Sequence, residues 1–138
     1  MRVLCIARHE MLSHHIAALC AEAGGECQSA VGTDEGLRIA REAPPDVVLC
    51  EVDLLIPERM TEWERESRVA GVPLLAVSLT RRQNESPVLA GTPLAGFLYL
   101  PALGPVDLTR ALAAATRGAL APPDAYRWDA DVEPSPAT

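Results

Sequence analysis

Ala43-Pro44-Pro45-Asp46-Val47-Val48-Leu49-Cys50-Glu51 is the stretch that decides the fold. The proline pair ends any helix that precedes it. The run Val47 to Cys50 is then apolar without alternation. A strand with no polar face is covered on both sides, as a central strand of a parallel sheet is. Asp46 to Glu51 is therefore predicted as a strand, and its neighbours follow by working outward. Before it, Thr33 reads as the N-cap of a helix with Asp34 and Glu35 in its first turn and Leu37, Ile39 and Ala40 facing inward. Glu26 to Val31 is a more polar run suited to a strand near a sheet edge. Glu10 to Ala23 carries Leu12, Ile16, Leu19 and Ala23 at helical spacing and stops at Gly24-Gly25. Val3 to Ala7 supplies the first strand.

After the deciding stretch, Glu58 to Val69 reads as a charged, solvated helix, in which Trp63 either anchors to the core, the favoured reading, or contacts a partner. Pro73 to Ser78 and Phe97 to Leu100 are the fourth and fifth strands. Between them, residues 82–92 form a poor helix, interrupted by Pro87 and ended by Gly91. Pro105 to Leu120 closes the series with Leu108, Ala111, Leu112 and Ala115 on one face. Five strands alternating with five helices predict an α/β fold, a doubly wound five-stranded parallel sheet with helices on both faces.

The chain has 138 residues, close to the ~150 of one average domain. Residues 1–120 carry the periodic pattern. Residues 121–138 carry prolines, Asp124, Asp129, Asp131 and Glu133, and no apolar period. That tail is expected to be disordered or loosely docked, with Tyr126 and Trp128 its docking residues. The net charge of −7 lacks the basic surplus that nucleic-acid binding needs. All 12 cations are arginine, so lysine-dependent chemistry is excluded. No apolar run reaches the ~18 residues of a membrane span. Cys5, Cys20, Cys27 and Cys50 contain no C-x-x-C pair, and their spacing to His9, His14 and His15 does not suit zinc. They are expected as free thiols of a cytoplasmic protein.

Element order and several local stretches together resemble the response-regulator receiver domain, the flavodoxin-like (βα)5 module of two-component signalling. The stretches are Arg2-Val3-Leu4, Ala43 to Leu49, Val72-Pro73-Leu74-Leu75 and Leu100-Pro101, and the resemblance covers roughly residues 1–119. It implies a pocket at the strand ends. There, two acids after strand one and one after strand three hold magnesium, the strand-three aspartate accepts a phosphoryl group, and a lysine and a Ser or Thr bind that group. An aromatic on strand five then changes its burial.

Matched position by position, the acid pair falls on Ala7 and Arg8, the acceptor on Glu51, the lysine on Leu100, the hydroxyl on Ser78 and the aromatic on Phe97. Receivers usually carry a proline four residues after the acceptor, and Pro57 stands four after Asp53. Both Glu51 and Asp53 thus stand as acceptor positions, with strand length favouring Glu51. The expected geometry pairs Arg8 with Glu51 at adjacent strand ends, in the space of the metal and lysine. A solvated acid at a strand end accounts for Glu51 about as well.

The resemblance therefore implies a pseudo-receiver: a non-enzymatic bacterial signalling module, without cofactor or metal, that binds a protein partner or a second copy of itself. The expected surface is the one around strand five and its flanking helices, carrying Val88, Leu89, Leu94 and Leu98. The alternative is a phosphoacceptor receiver phosphorylated on Asp53 by a histidine kinase. A flavodoxin-like small-molecule site is disfavoured, because Arg8-His9-Glu10 replaces a glycine-rich loop after strand one.

Overall fold

Val47–Glu51 lies inside the sheet, as its unbroken apolar run requires, with every residue buried. The structure, a computed structural model, describes residues 1–66, 71–79, 96–116 and 127–128. Their elements are β1 (Arg2–Ala7), α1 (Glu10–Glu22), β2 (Glu26–Val31), α2 (Thr33–Glu42), β3 (Val47–Glu51), α3 (Pro57–Arg65), β4 (Leu74–Ser78), β5 (Gly96–Tyr99), α4 (Pro105–Thr116) and β6 (Arg127–Trp128). The helix expected at 82–92, the segment 67–70 and residues 117–126 and 129–138 lie outside the described residues, and with them Tyr126.

All pairings are parallel, in the order β2-β1-β3-β4-β5-β6. The first five follow the 2-1-3-4-5 order of a flavodoxin-like doubly wound sheet. The expectation of five strands needs one addition. Arg127–Trp128 of the acidic tail pairs with Phe97 and Leu98, so the outer edge of β5 is covered along those two residues.

The strands divide their side chains between two cores. Leu4 and Ile6 of β1 face Leu37 and Ala40 of α2 and Trp63 of α3. Val3, Cys5 and Ala7 face Ile16 and Cys20 of α1 and Leu108, Ala111 and Leu112 of α4. Leu98 belongs to this second core and is fully buried, which corrects its assignment to an exposed interaction surface. With β4 on one side, β6 on the other and a helical layer over its side chain, β5 presents no leucine there. Val88, Leu89 and Leu94 lie outside the described residues.

Two helix details also differ from expectation. Gly32, at φ +88°, precedes α2 and takes the cap position, so Thr33 is the first helical residue and is buried with its hydroxyl unpaired. The buried line of α1 is Ser13, Ile16 and Cys20, with Leu12 and Leu19 half-buried beside it. Ser13 can occupy that line because its hydroxyl donates to the Glu10 carbonyl at 3.0 Å.

The approach of α2 to β1 depends on Gly36. A Cβ there would sit 2.5 Å from Ile6 Cδ1 and 2.9 Å from Cγ1. Gly36→Ala is therefore expected to destabilise by about 1–3 kcal/mol through overpacking. Adding Ile6→Val removes the nearer atom and should recover part of that loss, a coupling that urea denaturation of the four-member cycle measures.

Candidate functional site

The carboxyl ends of β1 and β3 lie side by side at one end of the sheet, and Glu51 with the residues just past those ends builds the site. Ile6 lies opposite Cys50 in the β1–β3 register, which brings the residues following Ala7 alongside Glu51. Entry into both strands is locked from below: the Arg2 amide donates to Asp46 Oδ2 at 2.7 Å, and the Asp46 amide donates to the Arg2 carbonyl at 2.8 Å.

At the top, Glu51 is the buried partner, with its side chain 2% exposed. Its Oε1 accepts from the Arg8 backbone amide at 2.8 Å and its Oε2 from Arg8 Nε at 2.9 Å. Burying a carboxylate is costly unless it is paired and hydrogen-bonded, and Arg8 supplies both requirements from one residue. The guanidinium reaches further. Its Nη2 lies 3.3 Å from Asp53 Oδ2. The strand ends at Glu51, and a single 3₁₀ turn over Val52–Leu54 swings Asp53 back toward Arg8. The two acids that the sequence offers as competing assignments thus share one cation.

The other sequence-matched positions surround this bridge with different chemistry. Ala7 is fully buried at the end of β1 and offers no oxygen. Ser78 closes β4 and is buried, one residue beyond the Val77–Glu51 pairing. Leu100 begins a 3₁₀ turn after β5 and is buried with Leu103 and Leu108 in the core beneath α1 and α4. Phe97 points the opposite way, into the core with Leu74, Trp63 and Leu54, and is buried.

A magnesium ion in such a pocket needs several hard oxygen ligands and tolerates no fixed cation among them. Arg8 and Ala7 stand where two of those oxygens would be, so these residues do not fit the metal. Among the described residues, no group of His, Cys, Asp and Glu is arranged to hold a metal ion. The trio Arg8, Glu51 and Asp53 instead satisfies itself electrostatically, with the positive charge supplied by the chain.

Sequence reasoning missed a second cluster. Cys5 on β1 and Cys20 on α1 have their sulfurs 3.7 Å apart in the core. Cys27 on β2 is half-buried and packs against the same core. The signal lay in β1 and β2 alternation together with the Ile16-to-Cys20 helical step, which point all three at one place. Beside the site, an apolar groove of about 460 Å3 runs between α1 and the ends of β4 and β5, lined by Met11, Leu12, Leu19, Leu79 and Leu103.

No family model matches the sequence, and no curated protein matches it. Solved structures do. The chemotaxis response regulator CheY4 of Vibrio cholerae is 19% identical, with 86% of this chain and 98% of that chain aligned at a TM-score of 0.64. A response regulator receiver domain protein from Clostridium thermocellum is 19% identical, covering 85% and 94% at a TM-score of 0.67. A LuxR-family two-component response regulator from Aurantimonas is 16% identical, covering 86% of each chain at 0.68. At these identities the likeness speaks to backbone architecture. The fold of this chain is that of a CheY-like response-regulator receiver domain.

Proposed function

We propose that the chain is a receiver-fold signalling module of the bacterial cytoplasm that works by binding a protein partner and accepts no phosphoryl group. The observation that carries this reading is the Arg8 guanidinium held between Glu51 and Asp53, at 2.9 and 3.3 Å. A receiver pocket of the phosphorylated kind gathers like charges and relies on a divalent ion to offset them while phosphoryl transfers. Here the offset is covalently part of the chain and permanent, so the pocket has one electrostatic state. The absence of lysine from the whole sequence removes the remaining phosphoryl ligand. Ser78 and Phe97 retain the residue types of a switch pair, and both are buried, a single packed arrangement for a partner to read. The partner surface we assign to the apolar groove between α1 and the ends of β4 and β5.

One observation favours a second reading. The Asp53 side chain is 41% exposed, and Pro57 follows it at the receiver interval, so Asp53 is the acid a histidine kinase would reach. A single titration separates the two. Beryllofluoride with magnesium stands in for a phosphoryl group on a carboxylate, and backbone amide shifts report its binding. The expected result is no saturable shift at Arg8, Glu51, Asp53 or Ser78 up to millimolar reagent. Saturable, magnesium-dependent shifts centred on Asp53 would establish the phosphoacceptor reading instead.

A further inference from the structure

The cysteines fall into two environments. Cys50 is buried among apolar side chains, and burial pushes its thiol up, away from ionisation. The other three form a cluster where β1, β2 and the end of α1 converge. Cys5 and Cys20 are fully buried with sulfurs 3.7 Å apart. Cys27 is the partly exposed member, packed against the core that holds both. Gly25 keeps one side of it open: a Cβ at Gly25 would lie 3.6 Å from Cys27 Sγ. The cluster therefore has one thiol that a small solute can reach and two more packed directly behind it.

We propose that this cluster is a peroxide-oxidisable thiol site in which Cys27 is the attacked residue and Cys20 the resolving one, closing a disulfide that ties the end of α1 to the edge strand β2. In the first step the Cys27 thiolate attacks the distal oxygen of a hydroperoxide. A sulfur–oxygen bond forms, the peroxide oxygen–oxygen bond breaks, and the leaving alkoxide or hydroxide takes up a proton. In the second, Cys20 attacks the resulting sulfenic sulfur. The sulfur–sulfur bond forms and water leaves with the Cys20 proton, so two thiols and one hydroperoxide give one disulfide, one alcohol or water, and one further water.

Register selects the resolving partner. Val3 is the residue opposite Cys27, so Cys5 lies two residues along the neighbouring strand, an offset that puts the Cα atoms about 8 Å apart from ordinary strand spacing and rise. A disulfide spans at most ~7 Å between Cα atoms, which leaves Cys5 as neighbour and not as bridge. Cys20 has no such strand constraint. Its carbonyl accepts from the Gly25 amide at 3.0 Å, and that same glycine borders Cys27 Sγ. The neighbouring Cys5 thiol, opposed by partial burial and aided by Cys20, brings the Cys27 thiol down to about 7, the direction that favours the nucleophilic thiolate.

The test treats the reduced, full-length folded chain with hydrogen peroxide, blocks remaining thiols with N-ethylmaleimide and maps peptides after Glu-specific cleavage, which separates Cys20 from Cys27 at Glu22 and Glu26. The expected product is a cross-linked Cys20–Cys27 peptide pair with Cys50 still alkylated. Its rate of formation should rise with pH through a midpoint near 7, against about 8.5 for an ordinary thiol. Cys27→Ser should leave Cys5 and Cys20 reduced at the same dose, and Cys20→Ser should stop at a dimedone-reactive sulfenic acid on Cys27. A cross-link between Cys5 and Cys20, unchanged oxidation in Cys27→Ser, or a wild-type chain that keeps all four thiols under these conditions overturns the proposal. The wild-type map alone is decisive if either variant fails to fold.

Discussion

Arg8→Ala is expected to destabilise the chain by about 2–4 kcal/mol, a fall in Tm of roughly 10 °C. Removing one partner of a fully buried pair costs about 3–5 kcal/mol, because the other charge is left uncompensated. Glu51 meets that condition at 2% exposure, whereas Arg8 is 47% exposed, and solvent screening of the cation lowers the figure. The backbone amide of residue 8 still donates to Oε1 in the variant, so the loss falls on Oε2 and on the Asp53 contact. Glu51→Gln should cost only about 1–2 kcal/mol, since the half-exposed guanidinium regains water and an amide oxygen remains to accept the Arg8 amide. The sign of the second substitution is the sharper test. In the Arg8→Ala background, Glu51→Gln removes an uncompensated buried charge and should raise stability. Urea denaturation of the four-member cycle reads it directly, and a second substitution that lowers stability further would mean that Arg8 is not what keeps Glu51 buried. A bridge holding the pocket in one state must be worth more than a solvated acid at a strand end, so the same cycle weighs the functional reading.

How much of this was legible in the sequence depends on which physical signal each residue carries. The parallel sheet could be read because Val47 to Cys50 lacks a polar face, whereas for Trp63 the sequence left two places open, the core or a partner contact, and the structure buries it in the core. The Arg8–Glu51 pairing followed from equivalent strand ends. That both acids share the arginine did not, since period-two alternation carries no information about the 3₁₀ turn that begins after Glu51. Leu98 was misplaced for a related reason. An apolar residue near a suspected surface looks the same in sequence whether a helix covers it or not, and β6 comes from a tail with no strand period of its own. The cysteine cluster needed the β1–β2 register, and Ser13 on the buried line of α1 needed a local hydrogen bond that composition hides. The N-cap at Gly32 was displaced from Thr33 by a positive φ that only glycine takes readily.

Trp63→Ala is expected to cost about 3–5 kcal/mol, the range for removing a large buried aromatic. Trp63 is 6% exposed and packs in one core with Leu54, Leu55, Leu74 and Phe97. Among the described side chains of α3, Glu58, Thr61, Glu62 and Arg65 are exposed. Just past the helix, Glu66 meets Arg41 of α2 at 2.6 Å, a peripheral tie. Arg41 is half-exposed, and breaking that pair with Arg41→Ala should cost under about 1 kcal/mol. The contrast between the two variants separates burial from surface charge as the anchor of the helix. It also bears on the site, because Leu54 and Leu55 pack on Trp63 while Asp53, the residue before them, reaches Arg8. Losing the indole should therefore speed amide hydrogen exchange in the Val52–Leu55 turn well beyond the change in β1 and β3. Uniform acceleration across all three would mean instead that α3 docks without supporting the turn.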